Sequence, residues 1–325
     1  MYEVTRRDLV LSAAAAAMAF GLTRHVAFID AALAQKAPEP GKGFKHFKVG
    51  NIQMTMVYDG LQDRPNEAGF VRNAAVADVK EALKAAGLPE DNIPNLFTVP
   101  VARMSGHTIL FDAGTGGQIG PKTGLMAENM KSAGIDPATV SLVLLSHFHP
   151  DHIFGLMAKD TNAPIYPDAQ IIASEAEYKF WTDPAVFSKL PQPRHALAQR
   201  IQAVFPGWKD KGRIKLVGDN VEVAPGIRSI FAPGHTPGHT AWHISSGPDQ
   251  FFVLADTVTF NPLFLRNPGW QAAYDTDGPL AEANRRKLIE RTIAEKAMVA
   301  SYHFIFPAAG MLAKDGAGYA ISATA

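Results

Sequence analysis

The sequence predicts an α/β fold of four layers, an αββα sandwich, on three observations. Size and composition come first: 325 residues, 47% hydrophobic and 19% charged, bury a large core in one large domain or two small ones. Next, strand-like and helical stretches alternate along the chain. Finally, that plan occurs twice, in two β-rich halves with polar residues set at strand ends. Periodicity alone leaves a doubly wound sheet open as well.

Residues 1–34 read as a targeting segment. Arg6 and Arg7 stand directly before an alanine-rich apolar stretch, Leu9 to Leu22, and Ala32 to Ala34 offers a small-x-small site for cleavage before Gln35. This is a twin-arginine export pattern, so a periplasmic or secreted protein is expected. The apolar stretch falls short of the roughly 20 residues that span a bilayer, so no stable membrane anchor is expected. Residues 35–43 read as a linker and 44–325 as a single domain.

From Phe44 the alternation of "FKHFKVGNIQMTMVYDG" predicts two strands with a turn at Gly50-Asn51. "AAVADVKEALKAAGL" has helical spacing. "FTVPVARM" and "HTILFDAG" flank Ser105-Gly106 as a hairpin, and Pro100 suggests an edge strand or a bulge. "GLMAENMKSAGI" is an amphipathic helix, and "VSLVLLS" is a fully apolar run suited to a buried strand. "AQIIASEAEYKFW" reads as strand then helix, followed by a helical insertion interrupted by prolines up to Trp208. The second half then runs strand, strand, the long helix "PLAEANRRKLIERTIAEKAM" and a last strand, "VASYHFIFPAAG".

Composition narrows the chemistry. Lys+Arg and Asp+Glu both total 31, so no bulk field favours nucleic acid, and a charged partner has to be recognised locally. There is no cysteine, which removes disulfides, thiolate ligands and a cysteine nucleophile together. Histidine and carboxylate must carry any metal site.

His147, His149, Asp151 and His152 supply one, in the pattern H-x-H-x-D-H directly after the apolar run. Pro150 opposes a helix through His149. In an extended stretch the period of two places both His147 and His149 on one side, within reach of one ion; Asp151 and His152, beyond Pro150, then serve a second. His235 in "APGHTPGH", Asp256 in "VLADTV" and His303 in "ASYHFIFP" stand at comparable strand ends. Nitrogen and oxygen donors of this kind suit two divalent ions, Zn first, with Mn, Fe or Co also accommodated. A carboxylate such as Asp256 can bridge ions roughly 3.5–4 Å apart, with a water between them acidified toward hydroxide. His235 and His239 are four apart, but Pro237-Gly238 breaks any helix there, so His239 reads as a buried residue that fixes a loop or supports a ligand. Asp112 in "FDAGTG" either orients a ligand imidazole or shapes a turn. His46, His107, His195 and His243 read as surface or packing residues.

The order of these motifs resembles the metallo-beta-lactamase superfamily. The leader, "DAGTGG", "GPKTGL", "PGHTPGHT" and "HFIFPAAG" are most similar to the methyl parathion hydrolase group and its lactonase relatives. The resemblance covers nearly all of residues 44–320. It implies that His147, His149 and His235 hold one metal, that Asp151, His152 and His303 hold the other, and that Asp256 bridges. It also implies a hydrolase in which metal-bound hydroxide attacks a carbonyl or phosphoryl centre, with Asp151 placed to share a proton with the bridging water or the leaving group. Ile119, Phe180, Trp181, Phe187, Thr259, Phe260 and Phe264 are expected along the pocket, and their apolar character points to a small neutral ester or lactone, with promiscuous phosphotriester hydrolysis. Many acyl-homoserine lactonases of the superfamily carry tyrosine three residues after the bridging Asp, where this chain has Thr259. A dedicated organophosphate hydrolase, an acyl-homoserine lactonase and a non-catalytic metal-binding protein are the alternatives. A homodimer is compatible with the sequence.

Overall fold

The computed structural model describes residues 41–323 together with 27–28 and 38. The predicted leader and linker thus lie largely outside the described residues. The exception in the leader is the pair Ala27–Phe28 (β1), which runs antiparallel to the last strand in the register Ala27 with Ala323.

Two sheets form the frame. The first is seven-stranded, in sequence order: β2 (Phe44–Val49), β3 (Ile52–Pro65), β4 (Asn92–Met104), β5 (His107–Phe111), β6 (Val140–Leu144), β7 (Gln170–Ser174) and β8 (Ile214–Val217). The second is eight-stranded and comprises β9 (Glu222–Ala224), β10 (Ile227–Phe231), β11 (Thr240–Ser246), β12 (Asp249–Val253), β13 (Met298–Ala300), β14 (Ala309–Asp315) and β15 (Gly318–Ala323), with β1 at its edge beside β15. β2 to β5 are antiparallel neighbours, as the hairpin turns at Gly50-Asn51 and Ser105-Gly106 require; β5 to β8 are parallel because helices carry the crossovers.

Strand alternation assigns the layers. On β3, Met54, Met56 and Tyr58 enter one core, while Val57 points to the other, where it meets Val99, Leu110, Met130 and Phe205 beneath the helices Met126–Ser132 and His195–Asp210. On β12, Phe251 reaches across to Phe47 of the other sheet, with ring centroids 5.4 Å apart. Its neighbour Phe252 points away and lies 4.9 Å from the Arg291 guanidinium, on the helix Gly278–Ala294. That helix buries Ala281, Arg285, Leu288, Ile289 and Thr292, a stripe at helical spacing, and the Asp277 carboxylate caps its start by accepting the Leu280 N–H at 3.0 Å. Helix, sheet, sheet and helix therefore follow in four layers, and the doubly wound alternative is excluded.

Two local expectations change. Pro100 lies in an interior strand, paired with Met56, and not at an edge. The registered β4–β5 pairs end at Val101 with Leu110, so Pro100 sits where that ladder stops. The bulge is on the partner strand, between Tyr58 and Gly60. The long helix ends at Ala294 and not at Met298: Lys296 takes a left-handed φ of 51°, and Met298 opens β13. Among the described residues no helix is long and apolar enough to cross a membrane.

Candidate metal centre

The predicted ligands leave the C-terminal ends of strands and converge. His147 and His149 follow β6, His235 follows β10, Asp256 follows β12 and His303 follows β13. Pro150 is the first residue of a short helix, Pro150–Ile153, for which His149 is the N-cap, with an extended ψ of 155°. The chain thus changes from extended to helical between His149 and Asp151, and the two pairs are aimed differently.

His149 Nδ1 lies 2.8 Å from His147 Nε2 and 3.0 Å from His235 Nε2, one cluster of three imidazole nitrogens. Asp151 Oδ2 lies 3.5 Å from His152 Nε2 and 3.4 Å from His303 Nε2, a second cluster. Asp256 faces both: Oδ2 is 3.2 Å from His235 Nε2 and 3.1 Å from His303 Nε2, while Oδ1 is 3.4 Å from His152 Nε2. All seven residues belong to groups whose donor atoms lie within 4.8 Å of one another.

The outward nitrogens explain the orientation. Asp275 Oδ1 accepts from His235 Nδ1 at 2.9 Å, Asp112 Oδ2 from His152 Nδ1 at 2.8 Å, and the Leu96 carbonyl from His303 Nδ1 at 2.8 Å. Each bond occupies an Nδ1 proton, so in the neutral form that a metal requires the Nε2 lone pair points inward. Asp112 also accepts from Ser146 N–H at 2.7 Å and Ser146 Oγ–H at 2.8 Å, at a left-handed φ of 68°. Both readings of Asp112, imidazole partner and turn, therefore describe its geometry. His239 is buried; its Nε2 accepts the Asp256 backbone N–H at 3.1 Å and so holds the backbone at the residue facing both clusters.

Electrostatics fit a cation. Burial opposes ionisation of Asp256, but the facing imidazoles of His303, His152 and His235 outweigh it and hold the carboxyl well below the usual range. Burial likewise opposes charge on His152 and His303, yet Asp256 and Asp151 lift both, so positive charge is favoured at these nitrogens. His147 and His149 are pushed well down, by burial and then by neighbouring imidazoles, which keeps them neutral and their lone pairs free. His239 falls to about 3 through burial and the nearby His235. His152 Nε2 and Asp256 Oδ1 are buried without a hydrogen-bond partner, a combination that a divalent ion satisfies and water-free protein does not.

Four supporting residues carry no sequence signal. Glu177 is buried on the helix Glu175–Thr182, and its Oε1 accepts from Phe148 N–H (3.0 Å) and Trp181 Nε1–H (2.7 Å), its Oε2 from Thr236 Oγ1–H (2.7 Å) and Gly238 N–H (2.9 Å). It ties the H-x-H stretch to the loop of His235. Asp275 is 40 residues from His235, Tyr302 O–H donates to the Asp151 carbonyl at 2.6 Å, and Leu96 acts through its backbone. No spacing rule links any of these to the motif.

A cavity of about 300 Å³ opens onto His149, Asp151, His235, Asp256 and His303. Of the expected wall residues, Ile119, Thr259 and Phe260 line it. Trp181 does not: it is fully buried, held by Glu177, with its ring 6.2 Å from that of His149 on the core side. Phe264 is also core, beneath the Arg285 guanidinium, while Phe180 and Phe187 pack against the helix-side core. The wall that replaces them is more polar than the sequence implied, because it includes Gln62, Arg64, Asn95, Arg194 and Tyr274. The other histidines among the described residues are tied up elsewhere: His46 with Thr55, His107 with Ser141, His195 with the Leu190 carbonyl and His243 with Gln250.

Comparison with known proteins places this geometry. An N-acyl homoserine lactonase of Bacillus sp is 24% identical over 176 residues, 54% of this chain and 60% of the relative. The N-acyl homoserine lactonase AttM of Azorhizobium caulinodans is 28% identical over 175 residues, 51% and 60%. The chain therefore spans about three fifths of the length of the curated relatives it matches. Solved structures match further: AidC, a dizinc quorum-quenching lactonase with a product bound, at TM-score 0.77 and 26% identity over 88% of this chain and 99% of that one. The hydrolase AbOPH of the beta lactamase superfamily matches at TM-score 0.80 and 25% identity over 87% and 98%. The family model of the metallo-beta-lactamase superfamily matches residues 101–303, from within β4 to the last converging histidine, and the chain belongs to that superfamily.

Proposed function

We propose that this protein is a metal-dependent hydrolase that cleaves a small ester or lactone with two divalent ions, zinc in the first instance. His147, His149 and His235 would hold one ion, Asp151, His152 and His303 the other, and Asp256 both. The observation that supports this most is Asp256, whose Oδ2 lies between His235 of one cluster and His303 of the other, with Oδ1 toward His152, while its N–H is held by His239. When bound, such ions polarise an acyl oxygen and lower the pKa of water.

The chain's own residues supply the rest. Asp112, Asp275 and the Leu96 carbonyl keep three Nε2 atoms turned inward, so donor geometry is set before any ion arrives. Asp151 is the least buried of the seven and borders the cavity, which places its Oδ2 to pass a proton to a leaving oxygen. Ile119 and Phe260 exclude water beside the reacting bond, and Thr259 Oγ1, buried without a partner on the same wall, is free to orient a substrate oxygen. Overall, water adds across the acyl C–O bond: OH goes to the acyl carbon and H to the departing oxygen.

Relatives named N-acyl homoserine lactonase support the lactone arm. Phosphotriester hydrolysis is read as a side activity only, because Ile119 and its neighbour Gln118 stand where an aromatic gate would be expected in a dedicated aryl phosphotriesterase. Export as a folded, metal-loaded protein follows from the leader. Metal analysis, followed by assays of chelated and zinc-reloaded protein on a homoserine lactone, a p-nitrophenyl ester and an aryl phosphotriester, tests the reading. Fewer than two bound metals per chain in zinc-loaded protein overturns the two-ion centre, and turnover indifferent to chelation overturns metal dependence; the mass of the mature N-terminus tests export.

A further inference from the structure

Arg64 and Arg194 line the same cavity as the converging histidines, and among the described residues neither has a carboxylate within ion-pair distance. Several other basic side chains do, among them Lys122 with Asp63, Arg228 with Glu222, Arg285 with Asp275 and Arg286 with Glu282, while Arg103, Arg200 and Arg213, which also rest on neutral acceptors, do not line this cavity. The two cavity guanidiniums rest on neutral acceptors instead. Arg64 donates from Nη2 to Gln62 Oε1 at 3.0 Å, its guanidinium carbon lies 5.0 Å from the Tyr274 ring centroid, and its Nε is buried with no acceptor. Arg194 donates from Nη2 to the Tyr274 carbonyl at 3.3 Å. One loop, held to the chain by Ala273 N–H to Phe70 O at 2.8 Å, thus positions both.

A third guanidinium adds to the same field: Arg72 donates to the Ala273 carbonyl at 2.7 Å. The acids nearest the cavity are already engaged, Asp256 and Asp151 by imidazoles and Asp275 by His235 and Arg285. In a chain of zero net charge, this grouping of guanidiniums is local to one side of the cavity, while the carboxylates of its wall, Asp151 and Asp256, lie on the histidine side. Partly buried guanidinium groups without an anion are poorly solvated, and their planar forks match a carboxylate.

We propose that Arg64 and Arg194 form a carboxylate-recognising subsite, so that the preferred substrate is an ester or lactone that carries a free carboxylate in the part not cleaved. This rests on the hydrolase reading and revises its expectation of a neutral substrate. Apolar Ile119 and Phe260 face the uncharged portion, and the carboxylate sits against the guanidinium pair.

The test uses zinc-loaded full-length protein. Turnover of 5-oxotetrahydrofuran-2-carboxylate is compared with γ-valerolactone, and mono-p-nitrophenyl glutarate with p-nitrophenyl butyrate. The charged member of each pair is expected to have a kcat/KM at least about 10-fold higher, a preference that falls as salt is raised. Arg64→Gln and Arg194→Gln each lower the charged member by roughly 10- to 100-fold, mainly through KM, a loss at least about fivefold greater than on the neutral member. Binding of N-butanoylglycine, an amide probe, against its methylamide gives a readout independent of turnover: tighter binding of the acid, lost in both variants, supports the subsite. Acid binding unchanged in both variants, or equal loss on charged and neutral substrates, overturns it. Failure to cleave either member while the acid still binds through the arginines would count against the hydrolase reading alone.

Discussion

Replacing Glu177 by glutamine tests how the H-x-H stretch is held beside the His235 loop. Four donors converge on this buried carboxylate, at 3.0, 2.7, 2.7 and 2.9 Å, two to each oxygen. Burial raises its pKa while the four donors oppose that rise, and a group surrounded only by donors is required as an acceptor. In Glu177→Gln one oxygen keeps its two donors, and the new NH2 is directed at two others, either Phe148 N–H and Trp181 Nε1–H or Thr236 Oγ1–H and Gly238 N–H. Two buried donors lose a charged acceptor at about 1–3 kcal/mol each; after partial relaxation and rotation of the Thr236 hydroxyl, about 3 kcal/mol is expected. At about 2.1 cal/mol/K of unfolding entropy per residue, a chain of this size then has a Tm lower by roughly 4–5 °C. Because Phe148 lies between His147 and His149, and Thr236 follows His235, zinc affinity is expected to fall as well. Thermal unfolding of the zinc-loaded variant and competition with a chromophoric chelator measure the two effects. A variant that unfolds within about 0.5 kcal/mol of the parent and binds zinc equally would refute the argument that Glu177 joins these loops.

The other predictions concern single contacts. Asp112→Asn weakens the anchor on His152 Nδ1 and is expected to lower zinc affinity about 10- to 100-fold, read by chelator competition, with circular dichroism unchanged. Gly238→Ala places a Cβ 2.0 Å from Glu177 N and 2.4 Å from its Cα, backbone atoms that cannot turn aside, so the His235 loop must move; soluble protein with full zinc content and unchanged Tm would contradict this. Trp181→Phe removes one of the four donors to Glu177 without touching the cavity, so the ratio of kcat/KM between a short and a long ester should stay within about twofold, whereas Ile119→Ala should shift it in favour of the longer. Chelation of the loaded protein lowers its Tm, because ions that bind only the folded state stabilise it by mass action.

The seven-residue cluster was legible because chemistry and local geometry coincide in it. H-x-H in an extended stretch sets two imidazoles on one side, proline changes the backbone before Asp151, and apolar runs locate strand ends. The four layers were legible less directly: the period of two in β3 shows two faces but not what covers each, and Pro100 looked like an edge residue because a sequence does not show where a neighbouring ladder stops.

What the sequence determined by itself was therefore the resemblance to the superfamily, the strands from β2 to β7 and the residues able to face a metal; in the second half it ran β10 into β11 and β13 into β14, where the structure has turns that carry His235 and His303. Tertiary structure decided which groups stand behind them and what lines the cavity. Asp275, Glu177 and the Leu96 carbonyl reach His235, Phe148 and His303 across 40, 29 and 207 positions of chain, and no local periodicity encodes such separations. The same reason moved Trp181 from wall to core and brought Arg64 and Arg194 together: burial and charge pairing are settled by packing between distant segments, and the chain's zero net charge concealed a cavity with two unpaired guanidiniums.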